Sequence, residues 1–271
     1  MNIFYYWESP PQCAMPAYLE LCLQTWRRAC PNSSIQRVDQ SNLSDLSGGR
    51  IKAADVAKFS YPLQSDIAAV AVLIEQPGLF LDADTILLSG FDIKRYDPKK
   101  LTIYGNAKHL GNHSTSFLCT GTKENPILLR WLEEASRRIG RHNTRSMRLK
   151  WWLRKRLSGK PAKVPWHYLG NGILDDLLRD GSFSDYLELR SAHASGAYPT
   201  SKLLEQNPKF KGYKDLWFDP GIPVDDVVRI CRDGVVMLQN SWHPQSYKDL
   251  TMSQVLSDQA LVSRLIAHSQ A

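Results

Sequence analysis

The segment IAAVAVLIE, residues 67–75, constrains the fold more than any other stretch because it is apolar almost all round. A helix without a polar face has to be covered on several sides, so this pattern predicts a buried helix from about Ser65 to Glu75, closed by Gly78. The run LFLDADTILL follows at once and predicts a strand that leads into a loop. A buried helix that feeds directly into a strand favours an α/β domain.

The N-terminal third shows the same alternation. IFYYW, Ile3 to Trp7, is typical of a buried strand, AYLELCLQTWRRA after Pro16 of a helix, and SIQRV of a second strand. This βαβ start predicts a parallel sheet with helices on its faces. Further helices are predicted after Asn125, in GILDDLLRD and from Gln259 to Ala267, and a hairpin is predicted for VVRIC and VVMLQ. We find no internal repeat and no low-complexity linker, so a single domain over residues 1–271 is expected.

The composition limits the class of protein. A chain of 271 residues with 43% hydrophobic and 23% charged residues is typical of a globular enzyme and does not indicate disorder. The five cysteines form no CxxC pair, which indicates neither a zinc site nor a disulfide framework. The N-terminus has no basic region and its apolar run is short for a signal peptide. We therefore expect a cytoplasmic protein, either free or held peripherally on the inner face of the cytoplasmic membrane.

Asp82 and Asp84 follow an apolar strand, where carboxylates are costly unless something compensates their charge. In an open α/β sheet, ligands bind at the carboxyl ends of the strands. Two carboxylates at such a place suit Mg²⁺ or Mn²⁺, which keep waters and take further ligands from a substrate phosphate. The alternative is an ordinary loop in which both side chains face solvent.

The stretch QSDIAAVAVLIEQPGLFLDADTIL, residues 64–87, resembles the signature of DxD sugar transferases. It is similar to the capsular polysaccharide synthesis glycosyltransferases and their mannosyltransferase relatives, and more distantly to the glucosyltransferase toxins. LGNGILDDLL, residues 169–178, is similar to the Gly-Pro-Gly segment of this family, which lies near the transferred sugar. LQNSWHP, residues 238–244, is similar to its C-terminal Ser-Trp motif, which touches the donor diphosphate. The resemblance is strong over residues 60–90 and weak over 140–240.

This resemblance implies a GT-A fold, with a Rossmann-like, mostly parallel sheet flanked by helices and a C-terminal portion of helices and a hairpin. It implies a metal-dependent retaining glycosyltransferase that uses Mn²⁺ or Mg²⁺. The donor would be a nucleotide-diphosphate sugar, a UDP-sugar by expectation. The acceptor would be a glycan or lipid-linked glycan in the synthesis of bacterial capsule, O-antigen or lipopolysaccharide.

The resemblance also implies roles for individual residues. Asp84 would bind the metal, and Asp82 the ribose or the metal. Asp66, after Ser65, would hold hydroxyls of the donor sugar, and Asn171 stands in the segment near that sugar. The remaining candidates would contact the donor base (Trp7), the donor diphosphate (Ser241 and Trp242), and acceptor or donor hydroxyls (Asp175 and Asp176).

Each of these roles has a simpler alternative. Trp7 and Trp242 can be packing residues, since aromatic side chains are commonly buried for their area. Asp66 can be an acid favoured by a helix N-terminus, and Asp175 and Asp176 can belong to a solvated helix face.

Two positions depart from the family pattern. Ala69 stands where the family has an arginine, so one cationic contact to the donor is missing or comes from elsewhere. VVMLQNSW, which contains Met237, lacks the histidine that helps hold the metal, so Asn240 or Gln239 would have to supply an amide oxygen. These departures leave open a degenerate, nonenzymatic relative that binds a glycan or a membrane. A further rival is a phosphatase of the haloacid dehalogenase type, although its DxD normally lies near the N-terminus.

The net charge of +7 is concentrated in an insertion over about residues 141–163, and no acidic residue lies between Glu134 and Asp175. Such a concentration predicts an anionic partner. RSMRLKWWLRKRLSGK, residues 145–160, reads as a basic amphipathic helix that can lie on an anionic leaflet. The alternative is that its apolar face packs on the domain. No motif of a nucleic-acid-binding module accompanies the charge, so no nucleic-acid partner is predicted.

Overall fold

The structure, a computed structural model, describes residues 1–9, 14–105, 114–160, 164–179, 181–191 and 212–270. Residues 161–163 of the predicted basic insertion therefore lie outside the described residues. The chain divides into two compact units, each assembled from separate stretches of sequence. The first unit comprises Met1–Glu8, Ser34–Leu81 and Tyr96–Leu189, and the second Ser9–Ser33, Asp82–Arg95 and Arg190–Ala271. The single domain over 1–271 stays a prediction.

The helices and strands alternate along the first half of the chain and helices dominate the second half. In chain order the described elements are β1 (Asn2–Tyr6), α1 (Ala17–Ala29), β2 (Ser34–Val38), α2 (Leu43–Leu46), α3 (Ala53–Val56), α4 (Tyr61–Glu75), β3 (Gly78–Leu81), β4 (Thr85–Leu87), β5 (Leu101–Gly105), β6 (Ser114–Thr120), α5 (Pro126–His142), α6 (Arg145–Ser158), α7 (Asn171–Arg179), β7 (Leu187–Ser191), α8 (Tyr213–Trp217), α9 (Val224–Ile230), β8 (Val235–Met237), α10 (Gln245–Lys248), α11 (Met252–Ser257) and α12 (Leu261–Gln270). Asn240–Trp242 form a short 3₁₀ turn.

The main sheet of the described residues has six strands in the order β2-β1-β3-β6-β5-β7. β1 pairs in parallel with both β2 and β3, as the N-terminal βαβ pattern predicts. β6 is antiparallel to β3 and to β5. The predicted α/β class, with helices on a sheet that has a parallel core, is confirmed. β4 and β8 form a separate antiparallel pair in the second unit.

α4 is the buried helix that the sequence predicts, and its middle and last turns lie in the core of the first unit. Its start is different, because the helix begins at Tyr61 rather than near Ser65. Pro62 lies in the first turn, where its missing N–H costs nothing, so the helix can extend toward Ser60. α5 begins as predicted, with the Asn125 side chain accepting a hydrogen bond from the Ile127 N–H at 3.0 Å.

The predicted hairpin of VVRIC and VVMLQ is wrong. Val224–Ile230 forms α9, and only Val235–Met237 is a strand. Pro223 at the N-cap and two acids in the first turn, Asp225 and Asp226, favour the helix over the strand tendency of the valines. The strand finds its partner far away in sequence, in β4.

No helix among the described residues combines the length and the apolar character that crossing a membrane requires.

Candidate functional site

The DxD sequence occupies a tight turn between two strands. Asp82 follows β3 directly, and its carbonyl accepts a hydrogen bond from the Thr85 N–H at 3.0 Å as β4 begins. β4 then pairs with β8 so that Thr85 lies opposite Met237. Because the strands run antiparallel, the residues before Thr85 and the residues after Met237 emerge at the same end of the ladder.

This pairing joins two of the predicted motifs within the second unit. The backbone N–H of Asn240 donates a hydrogen bond to Oδ2 of Asp84. The Asn240 side chain is also held, since its Oδ1 accepts a hydrogen bond from the Tyr18 hydroxyl at 2.5 Å. We call the resulting group the DxD cluster, and it consists of Asp82, Asp84, Asn240, Ser241 and Trp242.

Two side chains of α1 hold the strand that follows the DxD turn. Trp26 of α1 donates from Nε1 to the Thr85 carbonyl at 2.7 Å, and the Thr25 hydroxyl accepts from the Leu87 N–H at 3.0 Å. α1 therefore holds β4 by side-chain bonds to its backbone, and the position of Asp84 is fixed with it.

Asp84 is almost completely buried, with 6% of its surface exposed. Burial, and next the negative charge of Asp82, raise the pKa of Asp84 to about 8. Two carboxylates that oppose each other's ionisation fit a divalent cation, which would offset the charge of both. Among the described residues no three His, Cys, Asp or Glu side chains come together as a metal site, and this part of the chain offers the two carboxylates of Asp82 and Asp84. That donor set suits Mg²⁺ or Mn²⁺, which accept waters and phosphate oxygens as further ligands.

Ser241 and Trp242 lie on the outer side of the DxD cluster and are exposed. They line a cavity of about 460 Å³ together with Gly212, Tyr213, Lys214 and Asp215. The Trp242 ring meets the Tyr213 ring edge-on, with the centroids 5.3 Å apart. Trp242 lines the cavity and is 52% exposed to solvent, so it is not a core packing residue.

A buried aromatic layer, which sequence reasoning missed, supports the Asn240 segment. The Tyr213 hydroxyl accepts a hydrogen bond from the Gln239 N–H at 2.7 Å and lies 3.1 Å from Nε2 of His243. His243 packs against Tyr18, and no described residue pairs with its buried Nδ1. Burial, and next the positive charge of Lys248, lower the pKa of His243 to about 3, so the ring is neutral. The signal was weak, because single aromatic residues spread over distant parts of a sequence do not indicate a shared cluster.

Asp66 meets the LGNG segment within the first unit. A Cβ built on Gly170 would lie 2.2 Å from Oδ2 of Asp66, so a side chain at position 170 would displace that carboxylate. Trp131 holds the segment by donating from Nε1 to the Leu169 carbonyl at 2.8 Å.

Asn171 begins α7 and is buried, and no described residue pairs with its Oδ1. A buried amide oxygen without a partner is costly, and a ligand hydroxyl is one way to satisfy it. The contact of this segment with a bound sugar stays a prediction.

The surroundings of Asp66 bear on two sequence-based interpretations. α4 begins five residues earlier and has no acid in its first turn, so Asp66 is not a helix-terminal acid of the simple kind. Two residues earlier in α4, the buried Gln64 accepts hydrogen bonds from the Tyr6 hydroxyl at 2.6 Å and from the Gln40 side chain at 2.9 Å. Ala69 is 1% exposed in the core, where a cation would not be solvated.

Trp7 follows β1 and is half-buried. Its backbone N–H donates a hydrogen bond to the Val38 carbonyl at 3.0 Å. Asp39, which follows β2 at the same sheet edge, was not singled out from the sequence. Burial raises the pKa of Asp39, but hydrogen bonds from Ser41 and the charge of Arg37 outweigh it and leave the pKa below its usual value. Asp39 is therefore an ionised carboxylate at the carboxyl edge of the parallel strands.

Asp175 and Asp176 lie on α7, half-buried and exposed respectively. Asp176 forms ion pairs with Arg138 at 3.1 Å and with Arg179 at 3.2 Å. These pairs agree with the solvated-face alternative for Asp176. The proposed contact of either carboxylate with a substrate hydroxyl stays a prediction.

No protein-family model and no curated protein matches the chain. Among solved structures, a crystal structure of an active-site mutant of LgtC matches at 14% identity and a TM-score of 0.42, covering 90% of each chain. A likeness at this level does not establish a shared fold or activity.

Proposed function

We propose that the protein is a metal-dependent retaining glycosyltransferase. It moves a sugar from a nucleotide-diphosphate sugar, a UDP-sugar by preference, to a glycan acceptor in bacterial surface polysaccharide synthesis. The protein adopts the GT-A form of the α/β fold in this proposal.

One observation carries the proposal, namely the contact between Asp84 and Asn240. The family resemblance implies that Asp84 binds the metal of a donor diphosphate and that the Ser-Trp segment contacts the diphosphate itself. The two segments are 156 positions apart, yet the Asn240 N–H donates directly to the Asp84 carboxylate. In an ordinary loop both carboxylates would face solvent, whereas Asp84 is buried and bonded to the Asn240 segment.

The chemistry requires a group that stabilises a departing diphosphate. The bond from the anomeric carbon to the phosphate oxygen breaks, a new bond to the acceptor oxygen forms, and the hydroxyl proton passes to the leaving phosphate. A divalent cation held by Asp84 and Asp82 would supply Lewis-acid stabilisation of the leaving charge. Ser241 and the Trp242 Nε1–H would donate hydrogen bonds to the diphosphate, each of which contributes about 2 to 4 kcal/mol in comparable oxyanion sites. Asn240 would bind the metal through its amide oxygen once the Tyr18 hydroxyl turns to another acceptor.

Further residues would complete donor binding. Asp66 would hold sugar hydroxyls, and Asn171 would satisfy its buried oxygen with one of them. Asp82 would bind either the metal or the ribose of the donor. Trp7 would stack on the nucleotide base. Lys214 lines the cavity with Ser241 and Trp242, so it would replace the cationic contact that Ala69 cannot provide.

The acceptor in this proposal is a glycan or a lipid-linked glycan, and the protein works at the inner face of the cytoplasmic membrane. A lipid-linked acceptor would keep the reaction at the bilayer surface.

The test uses nucleotide sugars directly. The unfolding temperature is measured against UDP- and GDP-sugars with and without Mn²⁺, and nucleotide release is followed with and without acceptor glycans. We expect a Mn²⁺-dependent stabilisation by one donor class, and its loss in Asp84→Asn but not in the exposed control Asp45→Asn. Transfer or donor hydrolysis by Asp84→Ala at the wild-type rate in saturating Mn²⁺ would refute the proposal.

A second candidate is a degenerate relative that binds a nucleotide sugar or glycan without turnover. Two observations favour it, the burial of Ala69 and the engagement of the Asn240 amide oxygen by Tyr18. Donor-dependent stabilisation without any nucleotide release across the panel would support this candidate over the enzyme.

A further inference from the structure

α6 presents an apolar row to solvent. Leu149, Trp152, Leu153 and Leu157 are 58%, 53%, 42% and 82% exposed. Leu149 is followed one turn later by Trp152 and Leu153 and a further turn later by Leu157, which puts all four on one face of the helix. Trp151 is the buried residue of α6 and lies on the opposite side, against the core of the first unit. The sequence alternative in which the apolar face packs on the domain is therefore wrong.

Positive charge surrounds this row. Six exposed basic residues belong to α6 or follow it closely, namely Arg145, Arg148, Lys150, Lys155, Arg156 and Lys160. No acidic residue occurs between Glu134 and Asp175 to offset them. The Arg156 guanidinium lies over the Trp152 ring, 5.2 Å from its centroid, so a cation and an amphipathic ring share the exposed face.

We propose that this face of α6, which we call the α6 surface, docks on a lipid bilayer that carries anionic headgroups. Helices that lie in a membrane interface have aliphatic and tryptophan side chains on one face and lysine and arginine around it. The long basic side chains can reach the headgroups while their stems cover apolar surface. The α6 surface would hold the protein at the membrane where it is proposed to work. Its binding to lipid does not depend on sugar transfer.

Charge argues against two other occupants. A second copy of the chain docked through the same face would bring basic residues against basic residues, which a stable symmetric interface avoids. A nucleic acid would use the charges but would leave an aliphatic row such as Leu149, Leu153 and Leu157 without an apolar environment. A bilayer satisfies both the charges and the row.

The experiment is co-sedimentation of the full chain with vesicles of phosphatidylcholine alone or with 30% phosphatidylglycerol. We expect wild-type protein to pellet with the anionic vesicles and not with the neutral ones. Two double variants test the two features of the surface, Lys155→Glu with Arg156→Glu and Leu153→Ser with Leu157→Ser. Each should lower the vesicle partition coefficient at least about tenfold, since two basic residues near an anionic leaflet, or two inserted leucines, together contribute that much or more.

Control variants carry the same kinds of change elsewhere, two charge reversals in one and a single leucine replacement in the other. Arg27→Glu with Arg28→Glu reverses two exposed charges at the end of α1, and Leu256→Ser removes an exposed leucine of α11. Both controls should bind vesicles within about twofold of wild type. All variants should keep wild-type circular dichroism and wild-type release of nucleotide from a soluble donor, so failure here is distinguishable from failure of the proposed enzyme.

Four results would overturn the inference. The first two are no pelleting of wild type with anionic vesicles and equal loss in the α1 control and the α6 variants. The third is loss only in the charge variant, which with binding of duplex RNA or DNA at the same salt would assign the surface to nucleic acid. The fourth is self-association that the leucine variant loses, measured by sedimentation equilibrium, which would assign the surface to a second copy.

Discussion

The backbone N–H of Asn240 donates to the carboxylate of Asp84 across 156 positions of sequence. This contact exists because β4 and β8 pair with Thr85 opposite Met237. It holds one carboxylate in a buried place beside a second one, Asp82. The arrangement costs stability when no cation is present and Asp84 is ionised.

Asp84→Asn should stabilise the metal-free protein above neutral pH while abolishing sugar transfer. The pKa of Asp84 is raised to about 8 by burial and by Asp82, from an ordinary value of 3.8. Between these values the folded state keeps a proton that the unfolded state has lost, so the contribution to stability is complete below pH 3.8 and disappears as pH rises through 8. The free energy of unfolding of wild type should fall by a few kcal/mol between pH 5 and 9.

Urea unfolding at pH 5, 7 and 9 in EDTA checks this first prediction. The fall should be absent in Asp84→Asn and present in Asp45→Asn, which alters an exposed carboxylate. A wild-type stability that does not change over this range would contradict the burial of an ionisable Asp84.

Gly170→Ala should displace Asp66 and reduce sugar transfer while the protein stays folded. The added Cβ would lie 2.2 Å from Oδ2 of Asp66, which forces the carboxylate to move. A misplaced substrate-binding group can lower kcat/KM about a hundredfold. The control Gly140→Ala places the same methyl group on an exposed turn of α5, where nothing lies within 4 Å. The test measures kcat/KM for the donor in both variants, with circular dichroism to check folding. Equal kcat/KM in Gly170→Ala and Gly140→Ala would contradict the proposed role of Asp66.

His243→Gln should flatten the acid side of the stability profile. Burial lowers the pKa of His243 to about 3 from 6.5, so below pH 6.5 the unfolded state binds a proton that the folded state refuses. The contribution of His243 is therefore complete above pH 6.5 and is lost as pH falls toward 3. When the pH falls from 7 to 4, urea unfolding should give a change in unfolding free energy that is more favourable by a few kcal/mol in His243→Gln than in wild type. His268→Gln, at an exposed position of α12, should behave as wild type.

Lys214→Ala should weaken donor binding more than turnover. Lys214 is exposed and lines the cavity beside Ser241 and Trp242, so its charge is partly screened. We expect the donor KM to rise about three- to tenfold with little change in kcat, and the effect to shrink as salt is added. Lys99→Ala, an exposed lysine outside the cavity, is the control. A change in kcat with an unaltered KM would argue against a donor contact.

Local chemistry in the sequence was sufficient for much of the fold. The apolar run of α4, the cap and proline before α5, and the βαβ pattern at the N-terminus each depend on neighbouring residues, so their helices and strands were predictable. The same holds for the DxD turn, whose two carboxylates stand out because they interrupt an apolar run. α9 was missed because the preference of its valines for strand competes with its capping signal, and sequence alone gives no measure of which is stronger.

Tertiary structure decided what depends on distant partners. The pairing of β4 with β8 brings Asn240 to Asp84, and no local signal specifies a strand partner so far away. The close approach of Gly170 to Asp66 is likewise a matter of packing rather than of residue type. Only the structure shows that Leu149 and Leu157 of α6 are exposed. The same amphipathic sequence pattern occurs in helices that pack on a core and in helices that face solvent. The sequence determines which residues can make such contacts, and the burial of apolar surface elsewhere in the chain determines which contacts form.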